Sequence, residues 1–177
     1  AEDDSETVPE ETLMAEDGEG VVDIGAGRCI IGQETLDGYL QKLADMFGIN
    51  TTQISWVRNL AKFRGIAGKI VKSEWQVRIP IGLGGKYGIL TLQVVPGATP
   101  MLLSKKMVAS LGALIDTVSN EVNFRRIGVT VKAREAETGH MLLDLLNFKK
   151  SDYNEKKAGE ATTIGTEVQI FPAEEVQ

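Results

Sequence analysis

The chain has one cysteine, Cys29, and one histidine, His140. A single cysteine excludes an intrachain disulfide framework, and one Cys with one His excludes a cysteine- and histidine-rich zinc site. Chemistry that needs two histidines from one chain is excluded on the same ground. Aromatic residues are only 6% of the total, too few to interleave a basic face with stacking platforms. No run reaches the ~18 consecutive apolar residues of a membrane helix. The start, Ala1-Glu2-Asp3-Asp4, has neither the basic nor the apolar region of a signal peptide. The expectation is a cytoplasmic protein with no membrane partner, no metal and no cofactor.

What is present is a core and an uneven distribution of charge. Of 177 residues, 42% are hydrophobic, enough for one domain with a real interior. Residues 1–20 contain nine acids and no Lys or Arg. Residues 151–177 contain six acids and two lysines, while residues 21–150 hold 17 basic and 10 acidic residues. A basic body therefore lies between acidic ends. Low aromatic content and high charge predict a disordered tail over 1–19. The folded domain is expected over 20–148, followed by an acidic C-terminal tail over 149–177 that contains a short β-like run, Thr166 to Phe171.

Hydrophobic periodicity organises the body. Leu36, Leu40, Leu43 and Phe47 recur at helical spacing, which predicts a helix over 33–47 stopped by Gly48. Trp75, Val77, Ile79 and Ile81 alternate with polar neighbours, Gly84-Gly85 gives a turn, and Ile89 to Val95 returns, which predicts a hairpin. Ser104 is a suitable N-cap for a short helix over 105–111, with Gly112 just past its end. Residues 113–116, 121–124, 129–131 and 141–146 are further strand candidates. No repeat of 20–50 residues is present. Many short strands with two helices predict a mostly-β, closed or sandwich-like domain.

The candidate chemistry centres on Asp23, an acid in the apolar run Val21-Val22-Asp23-Ile24-Gly25-Ala26-Gly27. Three readings are open. Asp followed by Gly is common in turns, where the carboxylate bonds nearby backbone N–H groups. A glycine-rich loop before a helix also suits a nucleotide-type ligand such as S-adenosylmethionine, although Cys29 stands where the next glycine would fall. Finally, one carboxylate on such a loop is half of an aspartic-protease dyad. Two carboxyls sharing one proton let one act as base while the other polarises the peptide carbonyl. Only one Asp-x-Gly of this apolar kind occurs in the chain, so a homodimer would supply the second acid.

Residues 20 to about 148 resemble a retropepsin, the protease domain of retroviruses and retroelement polyproteins, in a divergent protist-like form. Asp23-Ile24-Gly25-Ala26 is similar to the family's Asp-Thr/Ser-Gly-Ala. Phe63-Arg64-Gly65-Ile66-Ala67-Gly68-Lys69 is similar to its glycine-tipped flap. Pro100-Met101-Leu102-Leu103-Ser104 and Leu111 to Asp116 are similar to the strand before its single helix and the segment after it. The resemblance implies a retropepsin-like fold with an inserted helix near 33–47. It implies an aspartic endopeptidase that acts as a homodimer on extended peptides of a polyprotein, with Asp23 catalytic and Ile24, Gly25 and Ala26 shaping the loop. Residues 63–69 would close over substrate, and Ile31, Leu102, Leu103 and Ser104, with Ile66, are the pocket candidates. Two departures stand out. Ile24 lacks the hydroxyl that holds the paired loops in register, and Ser104 replaces a usual glycine. A catalytically silent module for dimerisation or peptide binding is the alternative, and a methyltransferase the second alternative.

Other residues are read structurally. Cys29 in an apolar strand is expected to be an inert buried thiol rather than a nucleophile paired with His140 and Asp144. Gly65-x-x-Gly68-Lys69 lacks the spacing and hydroxyl of a phosphate loop. Lys105-Lys106, Arg125-Arg126 and Lys149-Lys150 are read as a solvated basic face, so nucleic acid is not an expected partner. Trp56 and Trp75 are expected in core or dimer packing.

Overall fold

The computed structural model describes residues 15–64, 69–155 and 162–171. The fold is mostly β. In chain order the strands of the main sheet are β1 (Glu19–Asp23), β2 (Ile30–Gly32), β3 (Ser55–Arg64), β4 (Ile70–Leu83), β5 (Lys86–Val95) and β6 (Leu102–Ser104). After β6 come β7 (Ala113–Asp116), β8 (Glu121–Phe124) and β9 (Val129–Lys132), which form a separate three-stranded meander. The main sheet is completed by β10 (Arg134–Glu135), β11 (Met141–Asp144), β12 (Thr162–Thr163) and β13 (Val168–Ile170). Three α-helices, α1 (Gln33–Phe47), α2 (Lys105–Ser110) and α3 (Lys150–Glu155), lie among the described residues.

The main sheet runs β11-β1-β6-β2-β5-β4 through its centre. β1 pairs with β6 in parallel and with β11 antiparallel. The path then closes on itself at one point. Gly82 of β4 bridges Leu146, just beyond β11, and its N–H donates to the Leu145 carbonyl at 2.8 Å. A side chain at Gly82 would place Cβ only 2.1 Å from the Asn147 carbonyl oxygen, so closure requires glycine there. Of the expected mostly-β, closed or sandwich-like domain, the mostly-β character is observed, and this single bridge joins β4 to the segment after β11.

Helix α1 covers this seam. Leu36, Tyr39 and Leu43 face inward, and the Tyr39 hydroxyl donates to the Pro80 carbonyl at 2.7 Å. Its exposed side carries Gln33–Asp37 and Gln41–Asp45 hydrogen bonds one turn apart, each 2.9 Å. Gly48 ends the helix in the left-handed conformation, φ 65°, and returns its N–H to the last turn. No helix separates β1 from β2, and antiparallel pairs predominate, so the chain does not form the alternating strand–helix sheet of a doubly wound domain.

The C-terminal boundary differs from expectation. Residues 149–177 were expected to form a tail, yet β13 pairs with β5, and Val168, Ile170 and Phe171 are buried. The Phe171 ring packs against Tyr87, which also meets Phe148 edge-on. The physical reason is that three apolar residues in that short run find an open edge of β5 to pair with and a core to enter. At the other end, residues 15–19 already belong to the fold, with Glu19 gripped by Arg134 at 2.6 Å.

Candidate active site

Asp23 is the last residue of β1 and lies opposite Ser104, the last residue of the parallel β6. The strand ends there because the loop 24–29 turns away. The Ala26 N–H donates to the Asp23 carbonyl at 3.0 Å, closing a turn. The Asp23 carboxylate, half-buried, accepts a hydrogen bond from the Gly25 N–H through Oδ1 at 3.0 Å. A Cβ on Gly25 would sit 3.3 Å from that oxygen, so glycine leaves the carboxylate its space. Ile24, at the tip, is 66% exposed, an unusual placement for a large apolar side chain. The loop is tied back by a long contact from the Lys105 N–H to the Ala26 carbonyl, 3.4 Å.

Next to the loop lies a small, part-buried polar cluster. Ser104 is fully buried. Its hydroxyl accepts from the Met107 N–H at 3.1 Å, which makes it the N-cap of α2, and donates to Glu167 Oε1 at 2.5 Å. The other Glu167 oxygen accepts from the Cys29 N–H at 2.5 Å. Cys29 Sγ lies 3.6 Å from the Ser104 hydroxyl and accepts from the Ser104 N–H at 3.4 Å. Burial first, with the Glu167 charge behind it, pushes the Cys29 thiol up to about 12. The thiol is thus inert at neutral pH. His140 sits in a turn with Nδ1 2.8 Å from the Thr138 hydroxyl.

The pocket candidates separate on burial. Ile31, Leu103 and Ser104 are each 0% exposed, so in the single chain they support the loop from below and line no open surface. The reason is that β2 and β6 are internal strands, covered on both faces. Leu102 is half-buried and packs with Val21, Ala136 and Leu142.

The β3–β4 hairpin forms a long ribbon. Pairing of β4 with β5 begins only at Trp75↔Val94, so among the described residues the strand partner of Ile70 to Ser73 is Ala61 to Arg64. The buried Ser73 still bonds the Val94 carbonyl and the Gln93 side chain of β5. The register slips between Arg58 and Ala61, where the Gln93 side-chain amide donates to the Asn59 carbonyl at 2.6 Å. Such a bulge bends and twists the strand that carries it. Of the flap candidates, Phe63 and Arg64 end β3, and Lys69 precedes β4. Gly65, Ile66, Ala67 and Gly68 lie outside the described residues. Trp56 and Trp75, expected in packing, are 40% and 41% exposed on this ribbon.

Among the described residues, no cluster of three or more His, Cys, Asp or Glu side chains is arranged to hold a metal ion. No helix among them is long and apolar enough to cross a membrane. Comparison of the chain with protein families, curated proteins and solved structures finds no match.

Glu167 is the site residue that sequence reasoning missed. The available signal was the one that marked Asp23, an acid set against a short apolar run, here Glu167 before Val168.

Proposed function

We propose that the chain is one half of a retropepsin-like aspartic endopeptidase that works as a homodimer on extended peptide segments. The observation that carries this reading is the placement of Asp23. It ends a buried strand beside a parallel neighbour, on a glycine loop that leaves its carboxylate in reach of solvent and held by a backbone N–H. In the dimer, Asp23 of each copy would share one proton. The ionised carboxylate takes a proton from water as that water attacks the peptide carbon, and the protonated one donates to the carbonyl oxygen.

Two further features support it. Ile24 exposes an apolar side chain beside the acid, a surface that a second copy would cover. The β3–β4 ribbon continues as a two-stranded arm past the last β4–β5 pair, Trp75↔Val94. Such an arm suits a cover that excludes water and adds backbone hydrogen bonds to an extended peptide. A peptide-binding module without catalysis is the second reading, and it too has an observation behind it. Ile24 offers no hydroxyl to hold paired loops in register.

Cleavage of a mixed peptide library between about pH 3.5 and 7 separates the two, with Asp23→Asn as control. Cleavage by the native chain that the variant lacks supports the enzyme. A folded, dimeric, silent native chain supports the binding module.

A further inference from the structure

The two strands that share one edge of β5 meet end to end. β2 takes Gln93 to Val95 and β13 takes Gly88 to Leu90. Between them, the Gln93 N–H donates to the Cys29 carbonyl at 3.0 Å and the Thr91 N–H to the Glu167 carbonyl at 2.8 Å. Cys29 and Glu167 are therefore brought face to face by the β5 ladder, although 138 residues separate them in sequence.

The Glu167 side chain bridges that junction. One oxygen accepts from the Cys29 N–H and the other from the Ser104 hydroxyl, both at 2.5 Å. Cys29 is where the Asp23 loop rejoins the sheet. Ser104 is the register partner of Asp23 itself. One carboxylate thus grips the exit of the loop and the strand beside its entrance. Charge-assisted hydrogen bonds of this kind are roughly twice as strong as neutral ones, and the buried Cys29 N–H has no other acceptor among the described residues. Within the loop, the exposed Ile24 contributes no polar side-chain atom to hold it.

We infer that Glu167 is a positioning residue for Asp23, supplied by the C-terminal segment. The inference deepens the proposed protease reading and rests on it for the effect on rate. Its geometric part stands alone. Loss of Glu167 leaves the domain folded and lets the loop 24–29 shift, and a displacement near 1 Å is enough to cost ~10²-fold in turnover.

The test compares the full native chain with Glu167→Ala, Glu167→Gln and Asp23→Asn. Backbone amide NMR spectra are recorded first, then kcat and KM on a peptide that the native chain cleaves. In Glu167→Ala the amide signals of Gly25, Ala26, Cys29 and Lys105 move while those of β7–β9 stay. In that variant kcat falls ~10²-fold with KM within a few-fold. Glu167→Gln keeps one acceptor and can donate to the Ser104 hydroxyl, so it recovers most of both readouts. Unmoved Gly25 and Ala26 signals, or native kcat in Glu167→Ala, overturn the inference. If Glu167→Ala does not fold, Glu167→Gln carries the decision: a native Cys29 signal with loop and kcat intact supports it, and a native loop despite a lost Cys29 bond overturns it. If the native chain cleaves nothing, the protease reading fails, and the loop signals alone decide whether Glu167 positions Asp23.

Discussion

Ser104 stands opposite Asp23 in the parallel β1–β6 pair, and its hydroxyl reaches Glu167 at 2.5 Å. The half-buried acid and the fully buried serine share one register position but have different partners. Asp23 accepts from the Gly25 N–H of its own loop. Ser104 ties helix α2, strand β6 and the C-terminal segment into one base.

That base sets a stability prediction. Ser104→Ala removes the N-cap of α2 and leaves one Glu167 oxygen without its donor. Loss of a cap costs ~1 kcal/mol, and loss of the Ser104 hydroxyl's bond to the part-buried Glu167 roughly 0.5–1.5 kcal/mol more. Urea denaturation is expected to show a lower midpoint by an amount in that combined range, with unchanged slope. A shift below about 0.5 kcal/mol would mean that the cluster contributes little to the fold.

Cys29 gives a chemical prediction with a sign. Its thiol is pushed up to about 12 by burial and the nearby Glu167 charge. At about pH 8 the native thiol carries almost no thiolate, and iodoacetamide is expected to leave it unmodified while labelling the urea-unfolded chain fully. The folded chain holds this proton to higher pH than the unfolded one. Between about pH 9 and 12, stability therefore falls as pH rises, and Cys29→Ala removes that part of the slope. Rapid labelling of the folded chain at neutral pH would contradict the burial.

The ribbon carries an unfavourable pair. Lys62 and Lys72 are direct cross-strand partners, and both are exposed. Like charges directly opposite destabilise a sheet. Lys72→Glu is expected to stabilise the domain by roughly 0.2–1 kcal/mol in thermal melts at low salt, with the gain shrinking as salt screens it. A loss of stability at low salt would show that the pair is relieved by some other arrangement.

Much of the fold was legible because its signals are local. Leu36 and Leu43 mark the buried face of α1, Gly84 and Gly85 both take positive φ in the β4–β5 turn, and Ser104 caps α2 as expected. The alternation from Trp75 to Ile81 correctly marks β4, though it gives no hint that Trp75 ends at the sheet's overhang. Closure of the sheet at Gly82 and Leu146 was not legible, since one bridge between distant segments leaves no periodic trace. Glu167 was legible as an acid before a short apolar run, but its place in the polar cluster was not. Its partners Cys29 and Ser104 are far off in sequence, and an acid in an acidic C-terminal stretch reads as solvated until the β5 ladder sets it against them. Asp23 was legible as an unusual acid. Its half-buried carboxylate on the Gly25 N–H is what the structure adds.

The central claim is a dyad shared between two copies, and subunit mixing tests it most directly. Native chain at fixed concentration is combined with increasing Asp23→Asn chain, and peptide cleavage is followed after exchange. A shared dyad predicts that the inactive chain poisons the active one, so that activity falls toward zero as mixed dimers with a single Asp23 replace native ones. Activity that stays constant as the variant is added would contradict the account, because it would place a complete catalytic centre within one chain.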